Sequence, residues 1–133
     1  MNIEFEPIGF VKAKETNIPR HWSVSDAEGE IILDEKYTEG TKDIRQGQKI
    51  IVIFHFHKSP VFNSGYLVQK PLHKEKQMGI FSTCSSIRPN PVGFSIVEVT
   101  GIQGNIISVR GIDMINGTPI IDIKPFVEKE GQD

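Results

Sequence analysis

Arg88, Pro89, Asn90 and Pro91 form one tetrad of the sequence, with apolar stretches on either side. Proline fixes φ and lacks a backbone donor, and it pushes the residue before it out of the helical region. Arg88 and Asn90 each precede a proline. The tetrad is therefore a stiff, non-helical connector that aims a guanidinium and an amide in set directions. Polar loops on a rigid scaffold are where binding and catalytic groups concentrate. The same run also serves as a purely structural turn, and the residues alone leave both readings open. Just upstream is Cys84, the only cysteine. With no partner base near it in sequence, it reads as a small buried or cavity-lining residue rather than a nucleophile.

Three further groups have chemical content. His55 and His57 are two apart, so on a strand they face the same way. A metal needs three or four ligands, and one cysteine plus scattered acids supplies no convincing remainder, so no metal is expected. The pair reads as a core histidine and a strand-end histidine, or as ligand contacts where His57 and Lys58 close the strand. The segment Ile18-Pro19-Arg20-His21-Trp22-Ser23-Val24 sets the single Trp in a Pro-marked loop beside a base. An adenine ring can stack on Trp and an Arg can pair with phosphate or carboxylate, while a Trp that plugs a barrel end fits equally well. Last come two acids at the edges of apolar runs, Asp113 and Asp122. Asp113 suits a turn start, and Asp122 and Lys124 share a strand face and can pair. No GxGxxG, phosphate-loop lysine motif or Ser-centred nucleophile elbow occurs.

The elements that carry these groups read as strands. Twelve Gly and eight Pro fall between short apolar runs, the punctuation of an all-β domain. Strands are expected at Ile8–Lys12, at Glu30–Leu33 after a turn at Glu28-Gly29, and at Lys49–Phe56. That third run is apolar enough for burial on both faces. Phe62–Gln69, Gly79–Thr83 and Ile120–Ile123 complete the set, with a hairpin formed by Gly93–Ile102 and Ile106–Gly111 around Gln103-Gly104-Asn105. Asn116-Gly117 is a second tight turn. Thr38–Ile44 is read as one helical turn with Thr38 as its N-cap. The result is a small closed or nearly closed antiparallel β-barrel with little helix, or a sandwich.

A chain of 133 residues suits a single domain, here 1–133 with residues 128–133 fraying. At 38% apolar and 24% charged, the composition is that of a soluble globular protein. One cysteine suits a reducing compartment, no apolar run is long enough to span a membrane, and the N-terminus has no signal-peptide core. A cytoplasmic protein without membrane contact is expected. The net charge of −2 hides an asymmetry: residues 1–44 carry 10 acids and 5 bases, residues 45–110 carry 2 acids and 8 bases, and residues 111–133 carry 5 acids and 2 bases. Lys70, His73, Lys74 and Lys76 cluster beside one acid, Glu75. A basic middle of this kind is suited to a phosphate-bearing partner.

The run Gly79–Ser95 resembles the signature Gly-Val-Phe-Ala-Thr-Arg-Ser-Pro-x-Arg-Pro-Asn-Pro-Ile-Gly-x-Ser of the TrmO (TsaA-like) family. Asp113–Phe126 resembles that family's Asp-Leu-x-Asp-Gly-Thr-Pro-Val-x-Asp-Ile-Lys-Pro-Tyr block, and Ile50–Lys58, Pro7–Lys12 and Ile18–Arg20 follow its pattern in order. The resemblance implies a dimeric β-barrel that binds S-adenosylmethionine outside a Rossmann fold and methylates the exocyclic nitrogen of threonylcarbamoyl-adenosine beside the tRNA anticodon. By matching position, it implies cofactor contacts at Trp22, Ser23, Val24, His57, Lys58, Phe94, Gly111, Ile112 and Asp113, with Cys84 in the pocket-facing place of the family's Arg. Arg88, Asn90, Asp122 and Lys124 match the polar positions of the two blocks and are implied in substrate handling. Asp113 would face the cofactor's cationic groups or ribose hydroxyls, and Asp122 would orient the target nitrogen or accept its proton. Lys70–Lys76, Arg88 and Arg110 would hold RNA phosphates. Departures from the pattern are Cys84, Ser86 for a Pro, Phe126 for a Tyr, and a differently built Val68–Met78. A non-catalytic cofactor-binding module and a plain RNA-binding barrel are the alternative classes.

Overall fold

The computed structural model of the protein describes residues 1–14, 18–19, 21–71 and 74–128. Arg20, His73 and the tail beyond Glu128 lie outside the described residues. Eight strands follow in order: β1 Gly9–Ala13, β2 Glu28–Leu33, β3 Lys49–His55, β4 Val68–Gln69, β5 Met78–Gly79, β6 Val92–Gln103, β7 Ile106–Arg110 and β8 Pro119–Pro125. Six of them close an antiparallel barrel in the order β1-β2-β7-β6-β3-β8, and β4 and β5 pair apart from it. Among the described residues, helix occurs only as short 3-10 turns.

Alternation builds this barrel. Along β3, Ile50, Val52 and Phe54 point inward and are buried, whereas Ile51 and Ile53 point outward and are only half-buried. The apolar run is thus buried on one face, not on both. The barrel has a single interior, and outward residues of a closed sheet have no second layer to cover them. β6 is long enough to serve two partners. Its first half pairs with β3 and its second half with β7. A register shift between Val99 and Gly101, and another between Ile53 and Phe54 where β3 meets β8, bend the strands around the closure. Val11, Ile31, Val97, Ile107, Val109 and Ile120 fill the centre.

Several sequence expectations shift. Glu28 and Gly29 belong to β2 rather than to a turn before it, because they pair with Arg110 and Val109 of β7. The 3-10 turn is Glu35–Thr41, and its cap is Asp34, whose carboxylate accepts from the Lys36 N–H at 3.2 Å. Thr38 instead donates its hydroxyl to the Glu35 carbonyl at 2.7 Å. Phe62–Gln69 is a strand only at Val68–Gln69, since Asn63 accepts from the Gly65 N–H at 2.8 Å and caps a 3-10 turn over Ser64–Tyr66. Gly79–Thr83 likewise gives way after Gly79 to a 3-10 turn, Ile80–Ser82. The hairpin at Gly104-Asn105 is present, tied to β2 by the Asn105 amide on the Leu33 carbonyl at 2.7 Å.

Candidate functional site

One rim of the barrel gathers the end of β3, the start of β6, the segment after β7 and the loop before β2. That loop is the Trp22 segment. Its 3-10 turn, Trp22–Val24, is capped by His21, whose Nδ1 accepts from the Ser23 N–H at 3.2 Å. Ser25 then donates its hydroxyl to the Ile112 carbonyl at 2.5 Å, and the Ala27 carbonyl accepts from the Gly111 N–H at 2.8 Å. Gly111 has φ of 102°, a backbone conformation that admits a side chain only with strain. The chain turns there and delivers Asp113 to the rim.

Asp113 is the centre of the site. One carboxylate oxygen accepts the Trp22 N–H at 3.0 Å, and the other accepts the hydroxyl of Ser95, a fully buried polar residue of β6. Burial raises the Asp113 pKa above the ordinary aspartate value, against the opposing pull of the Ser95 and Trp22 hydrogen bonds and the charge of His21. Asp113 is thus fastened by two donors instead of opening a turn. Beside it the Trp22 ring lies 6.2 Å from that of Phe94 and 5.1 Å from that of His21.

Two cavities flank Asp113 and share Phe54 and Phe56, whose rings meet edge to face at 5.0 Å. The first, about 250 Å³, runs toward His57, Lys58 and Ile115. The second, about 220 Å³, runs toward His21, Cys84, Arg88 and Phe94. Gly93 makes room for the shared floor: a Cβ there would lie 2.6 Å from the Phe56 ring and 2.8 Å from that of Phe54. The site is an acid-centred, aromatic cleft of two lobes. An apolar, largely pre-formed cleft with a few fixed polar groups is the ordinary form of a small-ligand site.

The expected residues distribute unevenly. Trp22, His57, Lys58, Cys84, Phe94 and Asp113 come together around the cleft. Cys84 is exposed at its lip and not buried. Ser23 and Val24 share the Trp22 turn but face solvent, and Gly111 and Ile112 are buried behind Asp113 as backbone supports. Arg88 lines the second lobe, yet its Nη1 is held by the Thr83 and Ser85 carbonyls at 2.9 and 3.2 Å, so it braces its own loop. Asn90 is exposed, and its carbonyl accepts from the Val92 N–H at 2.7 Å. Asp122 and Lys124 pair at 3.0 Å on β8, and they lie outside the cleft of this chain. Both border a separate cavity of about 440 Å³ toward the opposite rim, with Leu33, Tyr37 and Ile50. Register nonetheless connects them to the cleft. Asp122 pairs with Ile53 and Ile53 with Phe94, so the three side chains form one outward row, about 10 Å long at ordinary strand spacing. Arg110 is ion-paired with Glu98 at 3.3 Å. His55 ends β3, and His57 lies beyond it in a turn. Ser95, His21 and Ser25 were missed by the sequence reading. For Ser95 the available signals were its place at the end of the signature run and its inward position between Gly93 and Val97.

A closed antiparallel barrel with this cleft at its rim is, in class, a small all-β barrel domain. Comparison with known proteins then narrows it. The tRNA-methyltransferase O N-terminal domain family matches residues 10–131, and the chain belongs to that family. It is 38% identical over 127 residues to a probable S-adenosyl-L-methionine-binding protein of Pyrococcus abyssi, covering 92% of this chain and 67% of that one. It is 30% identical to a tRNA (adenine(37)-N6)-methyltransferase of Rattus norvegicus, covering 95% of this chain but 31% of that protein. The crystal structure of TrmO from Pseudomonas aeruginosa superposes with a TM-score of 0.74 at 28% identity, over 96% of this chain and 57% of that one. The chain thus spans little more than half of that protein's length.

Proposed function

We propose that this protein is an S-adenosylmethionine-dependent tRNA methyltransferase whose acceptor is the exocyclic nitrogen of threonylcarbamoyl-adenosine beside the anticodon. The observation that carries the reading is Asp113: a buried carboxylate fastened by the Trp22 N–H and the Ser95 hydroxyl next to an aromatic pair. A ligand with a nucleobase at one end and positive charge at the other suits that environment, since rings stack on aromatics and a desolvated carboxylate favours a cation. The names of relatives support the same cofactor. When bound, S-adenosylmethionine supplies an electrophilic methyl group. Trp22 and Phe94 would hold the adenine, Asp113 the cationic groups or the ribose hydroxyls, and His57 and Lys58 the far lobe.

The protein's contribution to such a transfer is mainly alignment, which supplies much of the acceleration of a two-centre displacement. Asp122 lies in the outward row with Ile53 and Phe94. An acceptor base over Ile53 would have Asp122 on one side and the cleft on the other. Asp122 would orient the acceptor N–H and take its proton, with Lys124, 3.0 Å away, holding the carboxylate in place. Arg88 and Asn90 would act through the loop that edges the second lobe. A second copy of the chain is part of the proposal. Ile3 and Phe5 of the N-terminal segment are 70% and 68% exposed, and Ile51 and Ile96 are half-open outward neighbours. Such side chains are suited to cover by another protomer.

The test is mass spectrometry of nucleosides from tRNA incubated with the protein and methyl-labelled S-adenosylmethionine. Label on threonylcarbamoyl-adenosine is the expected result. Cofactor binding by calorimetry with no label in any nucleoside would favour a non-catalytic binding module and overturn the enzyme reading.

A further inference from the structure

Phe81 is an exposed aromatic side chain carried on a well-fastened turn. It is 78% exposed. Its neighbour Ile80 is buried, and the Ile80 N–H donates to the Leu67 carbonyl at 2.9 Å. The Ile80 carbonyl accepts twice from Thr83, from its N–H at 3.1 Å and its hydroxyl at 2.9 Å. The Thr83 carbonyl in turn accepts from Arg88. The 3-10 turn that carries Phe81 is therefore pinned at both ends, and an aromatic ring projects from it into solvent. Thr83, two residues on, lines the second lobe of the cleft, so the two Cα atoms are within about 7 Å of each other.

The segment that carries Phe81 is cationic in sequence. Residues 69–88 carry four bases, Lys70, Lys74, Lys76 and Arg88, against one acid, Glu75. The three lysines are exposed, and among the described residues none is paired with a carboxylate. Exposed aromatic rings and unpaired cations are the groups by which proteins hold unpaired nucleotides, the ring stacking on a base and the cations meeting phosphates.

We propose that Phe81 is the stacking platform for a nucleotide of the RNA next to the one held at the cleft. The inference rests on the RNA reading above and deepens it: Phe81 positions the substrate strand without touching the cofactor.

Binding of unfractionated tRNA at fixed salt, followed by fluorescence anisotropy, tests it on the full chain. Phe81→Ala is expected to weaken binding by about 5- to 150-fold, the range of one lost base stack. Phe81→Tyr should stay near wild type and Phe81→Leu should resemble the Ala variant. S-adenosylmethionine affinity and melting temperature should not change, since the ring is neither in the cleft nor in the core. The salt slope should be preserved in Phe81→Ala and fall by about 1 in Lys74→Ala or Lys76→Ala. Equal tRNA affinity of Phe81→Ala and wild type overturns the platform while leaving the RNA reading intact. So does a fall in oligomer mass with unaltered tRNA binding, which would make Phe81 a protein contact. No tRNA binding by the wild type overturns the RNA reading itself.

Discussion

At the scale of single residues, Asp113 is a carboxylate largely withdrawn from water. Its raised pKa has a consequence for stability. Between the ordinary aspartate value near 3.9 and the raised native value, the folded protein holds a proton that the unfolded chain has lost. Stability contributed by this group is thus full below the ordinary value and is lost as pH rises through the native one. Asp113→Asn is expected to flatten that segment of the stability-against-pH curve, measured by urea unfolding at a series of pH values. It should also abolish S-adenosylmethionine binding by calorimetry. Asp122 makes the opposite case. Its pair with Lys124 is about half exposed on both sides, so it adds less than about 1 kcal/mol. Asp122→Asn should leave the melting temperature within a degree or two and still lose single-turnover methylation; intact turnover would remove Asp122 from the proposed role.

Elements decide how those residues meet. β6 contributes Phe94 outward to the cleft and Ser95 inward to Asp113, a division that follows from period-two alternation at a strand start. The Trp22 turn is held on the segment after β7 by Ser25 and Ala27, so a loop before β2 and a loop after β7 act as one wall. Gly93 sits where the wall meets the floor. Gly93→Ala would drive a methyl into the Phe54 and Phe56 rings, and it is expected to cost about 1–3 kcal/mol, the ordinary penalty of overpacking. Denaturant unfolding together with cofactor titration would register both the lost stability and a weakened cleft. Elements also mark where local sequence misleads. Phe62–Gln69 and Gly79–Thr83 are apolar enough for strands, yet Asn63 and the Ile80–Thr83 hydrogen bonds draw Ser64–Tyr66 and Ile80–Ser82 into 3-10 turns. Local side-chain bonding of this kind competes with sheet formation and is invisible to an apolar pattern.

For the whole molecule, closure of six strands removes free sheet edges over most of their length and gives one interior. Ile107 lies at its centre with no exposed surface. Ile107→Ala should lower stability by about 2–5 kcal/mol, and a thermal melt that barely moved would show the interior to be loosely packed. The outward apolar row and the exposed Ile3 and Phe5 belong to the same scale. Light scattering should give the mass of a dimer, and Ile3→Asp with Phe5→Asp should shift it toward the monomer. What sequence alone determined here is the strand inventory, the all-β class and the family, and it named some of the residues that line the cleft. Period-two patterning, Gly and Pro punctuation and two long signature blocks are local properties, legible residue by residue. What tertiary structure decided is which names stand together. Ser95 and His21 join Asp113 only because distant segments converge at one rim. Arg88 turns inward to its own loop, and Asp122 and Lys124 are displaced to the outer face of β8. Such placements depend on strand order and register, which couple residues some ninety positions apart and leave no trace in any short stretch of chain.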